Sequence, residues 1–119
     1  MSRVLVVDGA NVVGSRPDGW WKDRAGAARR LHERLLTADL SHDEIVLVLE
    51  GAAKGGVPAG RDGSVRVVHA RGSGDDEIVT QADRPDDSVV VVTADRMLQS
   101  RVTAVGASSL GPSWLLDQL

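Results

Sequence analysis

Carboxylates placed just beyond apolar runs are the residues of this chain best suited to chemistry. Asp8 follows Val4-Leu5-Val6-Val7, Glu50 follows Ile45 to Leu49, and Asp95 follows Val89 to Val92 by way of Thr93-Ala94. Asp75 and Asp76 stand a short loop beyond Val65 to Val68. Short, continuous, β-branched apolar runs read as strands buried on both faces, the mark of a parallel sheet. In an open α/β sheet the carboxyl ends of the strands share one edge, and ligands bind in the crevice there. Five acids brought to that edge raise one another's pKa unless a cation stands among them. A divalent ion relieves the conflict. Phosphodiester hydrolysis is a reaction such a site serves, because the metal activates a bound water and neutralises charge on the leaving oxygen.

Each acid also has a local explanation. Asp8-Gly9 is a turn pair after a strand. Asp75 and Asp76 sit where a helix macrodipole favours anions, and Ser73-x-x-Asp76 has the form of a capping box. Asp95 is a helix N-cap by type and position, and Glu50 is a solvated strand end. Each explanation competes with a site when an acid is taken singly; the joint placement is what favours a site.

The rest of the composition narrows the chemistry. The chain has 119 residues, enough for one domain with a real core, here taken as 1–119. It contains no cysteine, so disulfide-linked partners, thiolate nucleophiles and thiolate zinc sites are excluded. His32, His42 and His69 are not at ligand spacing on a helix, so any metal is held by oxygen, as suits Mg²⁺ or Mn²⁺. No apolar run approaches the roughly 20 residues of a membrane span, and no charged leader precedes one; a cytoplasmic address and no membrane partner are the expectations. The net charge of −3 argues against coating nucleic acid by charge alone. The charge is uneven, however. Arg16, Lys22, Arg24, Arg29, Arg30 and Arg34 cluster in one stretch, while Asp75, Asp76, Glu77, Asp83, Asp86 and Asp87 crowd another. A basic face beside an acidic pocket is implied. No G-x-x-x-x-G-K-[ST], G-x-G-x-x-G or G-x-S-x-G motif occurs, which tells against a P-loop, a dinucleotide fold and a serine hydrolase.

Helices must fill the intervals between these strands. Ala28, Leu31, Leu35 and Leu36 mark one face of a helix from about Asp23 to Leu40. Shorter helices are predicted over Asp75–Ala82 and Asp95–Thr103, then a brief strand at Val105–Ser108 and a last turn or two over Pro112–Leu119. The order β-α-β-β-α-β-α-β-α favours a three-layer α/β/α sandwich with a mostly parallel central sheet. Gly51 to Ser64 joins two strands with no evident helix, so a parallel crossover and a hairpin both remain open.

Val6-Val7-Asp8-Gly9-Ala10-Asn11 resembles the D-G-x-N opening of NYN domains, above all their YacP-like branch. Gly72-Ser73-Gly74-Asp75-Asp76-Glu77 resembles that branch's small-residue loop and acidic helix start, and Val91-Val92-Thr93-Ala94-Asp95 its T-[SA]-D strand end. The likeness continues through Gln99-Ser100-Arg101-Val102 and Gly106-Ala107, in order along nearly the whole chain. It implies a PIN-like fold with parallel strands, divalent-metal binding and RNA cleavage, and it resolves the Gly51–Ser64 segment as a parallel crossover. By the same resemblance Asp8, Asp76 or its neighbour Asp75, and Asp95 are the metal-site acids. Asn11 orients a water or the scissile phosphate, or else braces a turn. Glu50 departs from the aspartate usual after the second strand and is an additional acid.

The resemblance also places a basic residue at Arg24, facing phosphate or solvent. Arg29, Arg30 and Arg34 follow as an RNA-binding face. Trp20-Trp21 is read as cover for the core, with base stacking the alternative, and Lys54-Gly55-Gly56 as a surface loop. The implied function is metal-dependent endoribonuclease activity on messenger or other RNA, linked to the ribosome. A non-catalytic RNA- or ribosome-binding module is the main rival. A receiver-like phosphoacceptor lacks its lysine after the last strand, and a phosphatase lacks D-x-D after the first.

Overall fold

The computed structural model describes residues Met1–Leu119. Its sheet is made from the apolar runs. Strands β1 (Arg3–Asp8), β2 (Glu44–Leu49), β4 (Val65–His69), β5 (Ser88–Val92) and the short β6 (Ser108–Leu110) are parallel. Strand β3 (Gly60–Asp62) adds antiparallel to β4, giving the order β3-β4-β2-β1-β5-β6. In β1 and β2, alternate residues feed opposite cores. Leu5, Val7, Ile45 and Leu47 pack beneath α1 (Gly9–Gly14), α2 (Arg24–Thr37) and α5 (Pro112–Leu116). Val4, Val6, Val46 and Val48 pack against α3 (Gly74–Ala82) and α4 (Arg96–Ala104). This is the expected three-layer sandwich around a mostly parallel sheet. No helix is long and apolar enough to cross a membrane.

Strand β1 leads to β2 on one side, whereas β5 leads to β6 on the other. The β1/β5 boundary is therefore a topological switch point, where the loops diverge and leave a crevice. Asp8 and Asp95 belong to the two loops that part there.

Two expectations are corrected, and a third, the parallel crossover, is met with an added hairpin. Helix α1 begins immediately after Asp8, where a plain turn was expected: the Asp8 carboxylate accepts from Asn11 N–H as an N-cap, and Val12 is buried. The strand expected at Val105–Ser108 starts only at Ser108, because Gly106 adopts φ 94° and closes α4 with bonds from Gly106 and Ala107 N–H to Thr103 and Val102. The Gly51–Ser64 segment contains both alternatives. β2 and β4 are parallel, joined through a 3₁₀ turn at Gly51–Gly56, and β3 forms a hairpin with β4 on the way.

Candidate active site at the strand ends

Asp8 is the centre of the arrangement. It is 6% exposed at the end of a central strand. One carboxylate oxygen accepts from Asn11 N–H at 3.2 Å and the other from the Thr93 hydroxyl at 2.9 Å. Both donors are neutral. Burial pushes the Asp8 carboxyl above its ordinary range; the two hydrogen bonds oppose this, and the Asp75 and Glu50 carboxylates add to it. The anticipated mutual repulsion is present, but desolvation is the larger cause. The chain passes very close here: a Cβ on Gly9 would lie 2.7 Å from the Val48 carbonyl oxygen, so glycine is required after Asp8.

Thr93, fully buried, ties the strand ends together. Its hydroxyl donates to Asp8 and accepts from Asp95 N–H at 3.2 Å. Asn11 does similar work from the other side, its side-chain oxygen accepting from Ala94 N–H at 2.8 Å. Asn11 thus braces the loop that carries Asp95, which leaves its Nδ2 as the group free to meet a ligand. Asp95 is indeed an N-cap: one oxygen accepts from Met97 and Leu98 N–H at 2.9 and 3.2 Å.

Glu50 and Asp75 complete the group. Glu50 accepts from Gly74 N–H at 2.9 Å, an anion at the N-terminus of α3. A side chain at Gly74 would crowd that carboxylate at 3.0 Å, which accounts for the glycine at this position. Asp75 is half-buried, and its pKa is raised by burial and then by Asp95 and Glu50, with Arg101 opposing. Asp76 stands apart. Its side chain is 75% exposed and accepts from Arg101 Nη2 at 2.8 Å. Ser73 caps Asp75 N–H at 3.2 Å; burial and the nearby Asp95 and Glu50 charges are what set Asp75 apart from exposed Asp76. No three of these carboxylates form a ready-made ligand set for one ion.

A cleft of about 430 Å³ opens beside the acids, lined by Val13, Trp20, Arg24, Leu49, Glu50 and Ala53 among others. The Arg24 guanidinium lies over the Trp20 ring, 5.2 Å from its centroid. Trp20 is half-buried and Trp21 exposed, so only part of the pair covers the core. Arg30 and Arg34 share a separate shallow groove with Arg16, while Arg29 is exposed on α2 outside it. Lys54 is no free lip, since Nζ donates to the Ala70 carbonyl at 2.9 Å. Thr93 stands in the T-[SA]-D motif and Arg16 in the basic cluster, yet the sequence pattern assigns Thr93 no part in holding Asp8 and leaves Arg16 out of the RNA-binding face.

No protein-family model matches the chain, and no curated protein matches it in sequence. In structure it resembles Rae1 (YacP) from Bacillus subtilis, solved as a point mutant. The TM-score is 0.68 at 19% identity, over 96% of this chain and 72% of that one. The chain has a YacP-like fold.

Proposed function

We propose that this protein is a metal-dependent endoribonuclease that hydrolyses RNA phosphodiester bonds, in turnover of messenger or other RNA linked to the ribosome. One observation carries the reading: the buried Asp8 carboxyl, bonded only by neutral donors, ends a central strand at a topological switch point, with the Glu50 and Asp75 carboxylates near enough to add to the rise in its pKa. The motif resemblance and the YacP-like fold point the same way.

The donors are all hard oxygens, without histidine or cysteine, which suits Mg²⁺ or Mn²⁺. Asp8, Asp75 and Asp95 would hold the ion, with Glu50 as an additional acid. When bound, such an ion supplies water activation and neutralises charge on the phosphate. The protein's own part is positioning. Thr93 and Asn11 tie Asp8 to the Asp95 loop, so these two strand ends keep their relative position. Arg16, Arg30 and Arg34 in their groove supply cations for the RNA backbone, with Arg29 exposed nearby on α2, and Arg24 stands on the cleft beside the acids.

The non-catalytic RNA- or ribosome-binding module keeps one observation in its favour: the carboxylates form no ready-made ligand set. Mapping 5′ ends of RNA incubated with wild-type protein and Mg²⁺ or Mn²⁺ separates the two. New ends that vanish with Asp8→Asn support the nuclease; retained RNA binding without new ends, ribosome-bound messenger included, supports the module.

A further inference from the structure

We propose that the cleft beside the carboxylates seats one unpaired base of the RNA, with the Trp20–Arg24 cation–π pair as its recognition element. The seat presupposes the ribonuclease reading and adds a subsite to it. At about 430 Å³ the cleft lies within the range of small-ligand pockets, roughly 300–1,000 Å³. Val13, Leu49, Ala53 and the Trp20 indole give it apolar walls, and Arg24 and Glu50 are its charged members. Glu50 lines it together with Gly9, the residue after Asp8, so an occupant lies beside one acid of the group.

Among the parts of a single strand, phosphate and ribose are poor matches for such walls. A base has two apolar faces and a polar edge. The Arg24 guanidinium is a planar cation over an aromatic ring, and Arg24 is solvent-exposed. Single-stranded bases stack on guanidinium and aromatic planes with little regard to sequence. The alternative task for Arg24 is to attract phosphate by charge alone. Lysine keeps that charge and loses the plane, so Arg24→Lys tells the two apart.

The test uses an unstructured RNA that the wild-type protein cuts at a mapped bond, with a single abasic nucleotide walked through the positions around it. The seat requires one position at which base removal lowers wild-type kcat/KM by about tenfold or more, and the penalty should fall below about threefold in Arg24→Lys. Trp20→Phe, which keeps an aromatic ring and guards against misfolding, should retain much of the penalty, and Trp20→Ala should lose it. A penalty of equal size in wild type, Arg24→Lys and Trp20→Ala overturns the seat and leaves the nuclease standing. So does a wild-type profile with no sensitive position. A wild-type protein that cuts no RNA with Mg²⁺ or Mn²⁺ overturns both.

Discussion

Asp8→Asn removes one charge from the most buried carboxyl of the site and keeps its shape. Asp8 accepts two hydrogen bonds, and the amide oxygen can keep one of them. The structural loss is therefore about one hydrogen bond to a charged acceptor, roughly 1.5–3 kcal/mol. Against it stands relief of a buried charge. Because the native pKa is raised, the folded protein binds this proton more tightly than the unfolded chain does. Stability of the metal-free protein then falls as pH rises from the ordinary carboxyl value of 3.8 through the raised native value, and levels off above it. Above the raised native value the destabilisation is fully present, and the substitution abolishes it. The two changes oppose each other, so the melting temperature should stay within a few degrees of wild type, with a flatter dependence on pH below neutrality. Cleavage should drop by several orders of magnitude, since an amide is a far weaker ligand for a hard cation than a carboxylate. RNA binding should be kept or tightened as one negative charge leaves the phosphate path. Melting between acid and neutral pH, cleavage of ribosome-bound and free RNA, and binding in chelator provide the three readouts. A folded Asp8→Asn protein that cuts at the wild-type rate removes Asp8 from the chemistry. A pH profile of stability identical to wild type refutes the buried-charge reasoning itself.

Millimolar Mn²⁺ or Mg²⁺ should raise the melting temperature of the wild type, because the ion binds only the folded cluster. That shift should shrink in Asp75→Asn and persist in Asp76→Asn, which loses only an exposed pair with Arg101; equal shifts in both variants count against the assignment. Thr93→Val deletes a buried hydroxyl that serves both Asp8 and Asp95, and should cost about 1–3 kcal/mol in denaturant unfolding together with activity. A variant as stable and active as wild type shows that the acids do not depend on that tie. Replacing Arg16, Arg30 and Arg34 with Ala should weaken RNA binding and lower its log–log salt slope by about 2, at roughly 0.7 for each phosphate that is no longer neutralised. An unchanged slope makes the groove a solvated face.

The strands were legible because their runs are apolar on both faces, and two-sided burial is what a central parallel strand requires. Helix α1 was not, for a composition reason. Gly9-Ala10-Asn11-Val12-Val13-Gly14 combines two glycines, an asparagine and two valines, all unfavourable in a helix interior. It forms because Asp8 caps it and Val12 is buried beneath it, which are tertiary facts. β3 was hidden for the opposite reason. Gly60, Arg61 and Asp62 are all exposed, so the strand carries no apolar alternation and is defined by pairing alone, with Gly63 at φ 61° turning the hairpin. The arginines were legible as a cluster, yet only the packing of α1, α2 and α5 sorts Arg16, Arg30 and Arg34 into one groove and leaves Arg29 outside.

The neighbouring aspartates show what a sequence pattern decides and what it leaves to packing. A helix advances about 100° per residue, so Asp75 and Asp76 cannot both face one site. Gly74, Ile78 and Ala82, spaced four apart, are the buried positions of α3. Measured from Ile78, Asp75 lies roughly 60° around the axis and Asp76 roughly 160°. The apolar stripe alone therefore turns Asp75 toward the sheet and Asp76 away from it, once the helix is known to start at Gly74. Two further facts come from elsewhere in the fold. Glu50, arriving from β2, anchors the helix start at Gly74 and sets how closely Asp75 approaches the other acids. Arg101, arriving on α4, meets Asp76 on the outer side and gives it a partner there. A cluster that reads as five acids in sequence thus becomes a group of four, Asp8, Glu50, Asp75 and Asp95, with Asp76 paired to Arg101 outside it.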